Sequence, residues 1–194
     1  MSTAGKTAGD AIDALAGLAP DSPLAAIRDR KPVTRDQAQA SYRALFRPAD
    51  ETDVTRLERH AVAAFVAGLH ADPDATAFYA AALPADLAAT IAAEAGKART
   101  TGPYGAYPPG PLSREDVAGP VYRPADLDPR LGAALAHVHM LVFHPRDARP
   151  EHLQALLDAG WSNTGIVTLS QLTAFLAFQI RAAAGLRVLA RTPA

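Results

Sequence analysis

The stretch Thr55–Tyr79, TRLERHAVAAFVAGLHADPDATAFY, limits the fold of this chain more than any other segment. Thr55-x-x-Glu58 fits a capping box, in which the threonine side chain and the glutamate three residues on satisfy each other's exposed backbone amides. Leu57, Ala61, Ala64, Phe65 and Gly68 then recur at three- and four-residue steps, with Val62, Val66 and Leu69 beside them. That spacing predicts a helix with a wide apolar face. Alanine dominates the face, and small residues let neighbouring helices come close, so the helix belongs at the centre of a bundle. It breaks at His70-Ala71-Asp72-Pro73. Asp72 there reads as an N-cap and Pro73 as the first residue of a second helix, which carries Phe78, Tyr79, Ala82 and Leu83.

The rest of the chain is punctuated in the same way. Ile12, Leu15 and Leu18 form a short helical pattern stopped by Pro20, and Ser22-Pro23 opens a second one with Leu24 and Ile27, ended by Lys31-Pro32. Thr34 and Gln37 fit another capping box, ahead of a helix with Ala38, Tyr42, Leu45 and Phe46 on one side and Pro48 at its end. After Pro84 an alanine-rich helix runs through Leu87 and Ile91 to about Lys97. Pro129 opens a helix striped by Leu131, Ala134, Leu135, Val138, Leu141 and Val142, and Pro150 opens one with Leu153, Leu156 and Leu157. Gly160 stands where a C′ glycine belongs. Ser162 then caps a long helix carrying Ile166, Leu169, Leu172, Leu176, Ile180, Ala183 and Leu186.

No segment alternates with the period of a strand, so the predicted fold is all-α. The expected organisation is a flexible tail over 1–9 and one domain over 10–194. Within that domain a helical lobe 10–99, a loop 100–124 and a second helical lobe 125–190 follow in order. The loop, TTGPYGAYPPGPLSREDVAGPVYRP, is long enough to expect a function or a surface beneath it. Tyr104, Tyr107 and Tyr122 are its anchors, either to its own subunit or over a pocket.

Composition narrows the partners. Nineteen basic and twenty acidic residues give a net charge of −1, with no basic block to neutralise phosphates, which argues against nucleic acid. No uninterrupted apolar run approaches the ~20 residues of a membrane span. MSTAGKTAGD at the start lacks the apolar centre of a secretory signal, so a cytoplasmic location is expected. The chain has no cysteine. That excludes disulfides, thiolate metal sites and thiol-based peroxidase chemistry by this chain alone, and no cofactor is predicted.

Two stretches resemble a known family. LLDAGWSNTGIVTLSQLTAFLAFQIRAAAGL is similar to the closing helices of the carboxymuconolactone decarboxylase (CMD) and alkylhydroperoxidase D-like proteins. The match lies in Leu156, Ala159, Gly160, Trp161, Ser162, Ile166, Val167, Phe175, Arg181, Gly185 and Leu186. The second stretch is Thr55–Tyr79. In the peroxidase branch a glutamate-bearing helix leads, about a dozen residues on, into Cys-x-x-Cys with a histidine after it. Counted from Glu58, those cysteine positions fall on His70 and Pro73, and the region of the later histidine holds Ala77 and Tyr79. The resemblance, closest to a cysteine-less subgroup of CMD domain proteins, implies an oligomeric alkylhydroperoxidase D-like helical bundle. It also implies a non-peroxidatic role, or one as partner subunit of a cysteine-bearing relative.

Three candidate site residues follow. Glu58 either serves its helix cap and dipole or, as the resemblance implies, is a proton-transfer carboxylate at a pocket floor. His70 either favours the helix C-terminus as a protonated imidazole or acts as general acid or base. On a straight helix the two lie roughly 18 Å apart along the axis. Arg181 is expected to support the site by pairing with a buried carboxylate, with Glu58 the first suspect. His137 and His139 point to nearly opposite sides of a helix, one expected at the core edge and one solvated, so no metal site is expected even with His144 added. Trp161 is expected to lie against the helix before it. The readings left open are the non-peroxidatic member, a cysteine-free enzyme using Glu58 and His70, and a small-molecule binding protein whose tyrosine-rich loop covers the old pocket.

Overall fold

The computed structural model describes residues 10–125 and 127–191; the tail reading for 1–9 lies outside them. Among the described residues the fold is all-α, with no strand and one isolated bridge, Gly105 to Val117. The helices are α1 (Ala11–Ala16), α2 (Pro23–Asp29), α3 (Pro32–Phe46), α4 (Arg56–Leu69), α5 (Pro73–Ala80), α6 (Ala85–Ala98), α7 (Pro129–Phe143), α8 (Pro150–Asp158) and α9 (Asn163–Arg191).

Helix α4 is the hub, packed against α5, α6, α7 and α9. Its residues Ala61 through Ala67 are all buried, so it has no solvent face along two turns. Alanines and Gly68 permit that enclosure. A Cβ added at Gly68 would lie 2.6 Å from the Cβ of Ala95 on α6, so at this crossing only glycine fits. The capping box forms as its spacing predicts: Thr55 Oγ1 accepts from the Glu58 amide at 3.2 Å, and Glu58 Oε2 accepts from the Thr55 amide at 2.8 Å.

Several local expectations shift. Gly17, at φ 64°, ends α1 before Pro20 is reached, because its left-handed cap returns the last carbonyls first. Helix α3 starts at Pro32, two residues ahead of Thr34, since a proline at the first helical position needs no amide partner. Asp10 and Asp13 receive Arg28 from α2 and Arg35 from α3, and these ion pairs clip the three small helices together. Arg187 near the end of α9 pairs with Asp72 and donates to the Leu15 carbonyl, tying α9 to α5 and α1.

Helix α9 is long and apolar enough, by length and composition, to cross a bilayer. The absence of an unbroken apolar run had hidden this, because threonines, Ser170 and Gln171 interrupt it. Its stripe Leu169, Leu172, Leu176, Ile180 and Ala183 is buried in the hydrophobic core with α4 and α7 residues.

Candidate functional site

The first turns of α4 and α7 meet in a closed polar knot. Asp128 caps α7, and Arg130, in its first turn, donates from Nε to Glu58 Oε1 at 2.6 Å and from Nη2 to the Asp53 carbonyl at 2.7 Å. The same guanidinium reaches the Gly160 carbonyl and lies 3.9 Å from the centroid of the Trp161 ring. Trp161 returns the contact by donating Nε1–H to the Arg130 carbonyl at 2.9 Å. Trp161 is thus held by the start of α7, beyond the contact with α8 that its place in sequence suggests. Glu58 pairs with Arg130, not with Arg181. Arginine's planar fork explains the choice, since it satisfies a carboxylate and two carbonyls at once.

Helix α4 runs unbroken to Leu69, with His70 as its C-cap, so Glu58 and His70 stay at its two ends. His70 instead shares a cavity of about 220 Å³ with Arg181, Leu141, Val142, Ser170, Thr173, Ala174 and Ala177. Burial, together with the charge of Arg181, lowers its proton affinity, with Asp72 opposing. A neutral ring does not serve the helix dipole, so the protonated-cap explanation for His70 loses its basis. Of the three residues singled out by sequence, the structure brings His70 and Arg181 together and leaves Glu58 apart.

A second cavity, of about 190 Å³, opens along the other flank of α7. Ala133, Ala136, Met140, Ala155 and Val121 give it apolar walls, and His137, His139, His144, His152, Tyr122 and Asp147 supply its polar groups. His137 and His139 both line this cavity and both are buried, against the expectation of one solvated ring. The loop supplies the missing cover. His139 donates Nε2–H to the Ala98 carbonyl at 3.0 Å and has the ring of Tyr122 at 5.4 Å. His137 meets Ser170 Oγ at 3.3 Å, and Ser170 donates its own proton to the Ile166 carbonyl at 3.0 Å. His137 must therefore be the donor, through Nε2–H, which makes Nδ1 a bare acceptor, and that atom is buried without a partner. Burial and the nearby His152 push the His137 pKa down to about 4. Burial also lowers that of His139, opposed by its bond to Ala98 and aided by His144. Both rings are neutral near pH 7.

The proline-rich segment is pinned across this cavity at many points. His144 Nε2 contacts the Pro120 carbonyl at 2.9 Å and Nδ1 contacts Asp147 Oδ2 at 3.1 Å, while Asp147 Oδ1 accepts from the Ala106 amide at 3.2 Å. Tyr104 donates its amide to the Phe143 carbonyl at 2.6 Å, and its ring lies 5.1 Å from that of His144. A Cβ on Gly119 would lie 2.2 Å from Cγ of the Tyr104 ring, so glycine there lets the backbone close onto that ring. Tyr107 takes Arg146 over its face at 4.2 Å. Tyr122 donates its hydroxyl to Glu94 Oε2 at 2.6 Å, and Lys97 holds the other oxygen at 2.6 Å. Those two bonds, Lys97 first, hold the buried Glu94 carboxyl below its ordinary range despite desolvation. Tyr122 and His139 form the wall between the apolar cavity and a neighbouring polar cleft lined by Glu94, Lys97, Arg99 and Arg123.

Among the described residues no group of three or more His, Asp or Glu side chains has the arrangement of a metal site. In His144 and His139 at least one ring nitrogen is already engaged by a backbone carbonyl, which removes it as a ligand. Sequence reasoning missed this cavity, although His137, Met140 and His144 stand at helical spacing on one flank. Comparison with protein-family models, with curated proteins and with solved structures gives no match.

Proposed function

We propose that this protein is a non-peroxidatic relative of the CMD and alkylhydroperoxidase D-like group that binds a small, mostly apolar molecule in the histidine-lined cavity of α7. One observation carries this reading. A largely apolar cavity is lined by His137, whose buried Nδ1 acceptor has no partner, and a tyrosine-anchored segment is held over it. Buried polar atoms in proteins are nearly always satisfied, so an orphan beside a cavity marks where a ligand's donor group belongs. The volume of about 190 Å³ is below the ~300–1,000 Å³ of drug-sized pockets, which fits one ring or a short chain. Neutral imidazoles suit an uncharged ligand carrying a hydroxyl or amide N–H.

The test is a ligand-observed NMR and thermal-shift series of one-ring phenols, lactams and alcohols against the intact protein. Ala136→Phe, which fills the cavity from its half-buried wall, serves as control. Saturable stabilisation that Ala136→Phe abolishes supports the reading. Stabilisation unchanged by Ala136→Phe, or none from any compound, overturns it. Hydroperoxide turnover with dithiol reductants should stay at background, because the chain has no thiol.

The oligomer and partner-subunit reading has separate support in α9. Val167, Phe178 and Leu189 are 56 %, 48 % and 58 % exposed along a helix whose other stripe is core. A second copy of this chain, or a cysteine-bearing relative, is proposed to cover that face. Sedimentation velocity tests the first; a monomer at all concentrations that stays monomeric with such a relative sinks both.

A further inference from the structure

The cavity between the end of α4, α7 and α9 is separate from the histidine-lined one, and its lining has a different chemistry. Leu141, Val142, Ala174 and Ala177 form an apolar trough, and its polar members are His70, Ser170, Thr173 and Arg181. Both hydroxyls are spent on their own helix: Ser170 donates to the Ile166 carbonyl at 3.0 Å and Thr173 to the Leu169 carbonyl at 2.8 Å. They leave Arg181 and His70 as the groups able to donate to a guest. Arg181 makes one long contact, 3.5 Å from Nη1 to the Ala177 carbonyl of its own helix. Among the described residues no carboxylate lies within ion-pair distance of it. His70 Nε2 is buried and has no hydrogen-bond partner.

Every neighbouring acid is already taken. Asp72, beside His70, caps α5 through the Ala75 amide at 3.0 Å and pairs with Arg187, which also reaches Asp74 at 3.5 Å. A guanidinium without an anion therefore stands at the same cavity as a buried nitrogen without a partner, above an apolar floor. We infer that this cavity is a binding site for a small monocarboxylate with an apolar body, its carboxylate taken by Arg181 and His70 Nε2 and its body by Leu141, Val142 and the two alanines.

The physical case rests on complementarity. Arginine's fork matches a carboxylate in two parallel donor bonds. An imidazole nitrogen buried without a partner gains a strong hydrogen bond from the same anion, and the anion raises that ring's proton affinity. The volume of about 220 Å³ accommodates a single aromatic ring or a branched short chain beside the charged group. Burial and Arg181 both disfavour the protonated His70 ring, so its protonation is expected to follow the arrival of an anion.

The experiment uses the intact protein, benzoate as the probe and benzamide as its uncharged isostere. Histidine ring resonances are followed by NMR through pH titrations with and without each compound. The expected result is saturable benzoate binding, an upward shift of the His70 titration, and unmoved His137 and His139 resonances. Benzamide should bind at least about tenfold more weakly, and Arg181→Gln should weaken benzoate by at least about tenfold. Arg181 is exposed, so that variant is expected to fold; Ala177→Leu, which narrows the trough, should weaken benzoate independently. Equal binding of benzamide, indifference to Arg181→Gln, or no benzoate binding overturns the inference. So does a response at His137 and His139 in place of His70, which would assign the anion to the other cavity.

Discussion

The first turns of α4 and α7 and the C-terminal halves of the same two helices are both rich in polar side chains, yet they treat them in opposite ways. At the first turns every polar group has its complement. Glu58 serves Thr55 and Arg130, Arg130 serves Glu58, Asp53 and Gly160, and Trp161 covers the guanidinium. At the other ends His70 Nε2 and His137 Nδ1 are buried without partners, burial lowers the proton affinity of His70, His137 and His139, and cavities adjoin them. A saturated network has no capacity left for a guest, and its contribution is architectural. Buried groups left unsatisfied lower stability unless something else binds them, so they mark the places where binding is expected.

The largest expected effect lies in the saturated knot. Arg130→Ala removes the partner of Glu58 and of two carbonyls and bares one face of Trp161. A fully buried ion pair broken this way loses about 3–5 kcal/mol, and these side chains are 30 % and 15 % exposed, so the expected loss is about 3–4 kcal/mol. Urea denaturation at unchanged m value measures it. A loss below about 1 kcal/mol would show the knot to be ornamental and break the comparison.

That knot also shows where sequence reading stops. Caps, prolines and three-to-four spacing are local, so the helix starts from α4 onward were legible; α5 stops at Ala80, short of the predicted Ala82 and Leu83, and before α4 Gly17 and Pro32 were competing local signals within one turn. Arg130 follows Pro129 with nothing nearby to name its partner, and Glu58 is 72 residues distant. The histidine-lined cavity draws on α7, α8 and the proline-rich segment together, and the segment has no period from which a face can be read. One of His137 and His139 was expected in solvent from the helix period alone, but both are buried, and Tyr122 and the Ala98 carbonyl enclose His139 from outside α7. Arg181 was expected to pair with Glu58; that it shares a cavity with His70 instead depends on how α4 ends against α9.

The second effect probes the unsatisfied end. His137 has a folded-state pKa near 4, while its unfolded value is near the ordinary 6.5. Between those values the unfolded chain binds more protons, so stability falls as pH drops through that window and is fully present above it. The shift corresponds to about 2–3 kcal/mol lost by pH 4, with the lowered His70 and His139 adding in the same direction. His137→Gln keeps a donor for Ser170 and removes the titration. Its pH–stability curve, from denaturation at half-unit steps, should be flatter than the parent's between pH 6.5 and 4. Parallel curves would mean that His137 is not the strained group described above.

A smaller effect tests the segment that covers the histidine-lined cavity. Tyr122→Phe keeps the ring against Phe65 and His139 but takes one donor from the buried Glu94 carboxylate, leaving Lys97. A hydrogen bond to a charged group is worth about 1.5–3 kcal/mol, and the retained Lys97 bond places the loss at the low end, about 1–2 kcal/mol. Glu94 titrates below its usual range in the folded state, so this stabilisation is present above that range and disappears as pH falls through the folded value. Faster amide exchange confined to 117–124 is the expected signature. Uniform destabilisation without local opening would place the segment in the saturated class.

Glu58→Gln has the smallest expected effect and decides most about function. Glutamine is compatible with a capping box, so the Thr55 amide keeps an acceptor. The charge on the Arg130 contact is lost, while Arg130 retains both carbonyls and Trp161. Partial exposure of the pair limits the cost to about 0.5–1 kcal/mol. Ligand binding at the histidine-lined cavity should be unchanged, because Glu58 is not among the residues that line it. A proton-transfer role for Glu58 requires in addition that turnover of an identified substrate be abolished. Measuring both quantities on one variant separates an architectural carboxylate, which shows only the small stability loss, from a chemical one, which loses turnover as well.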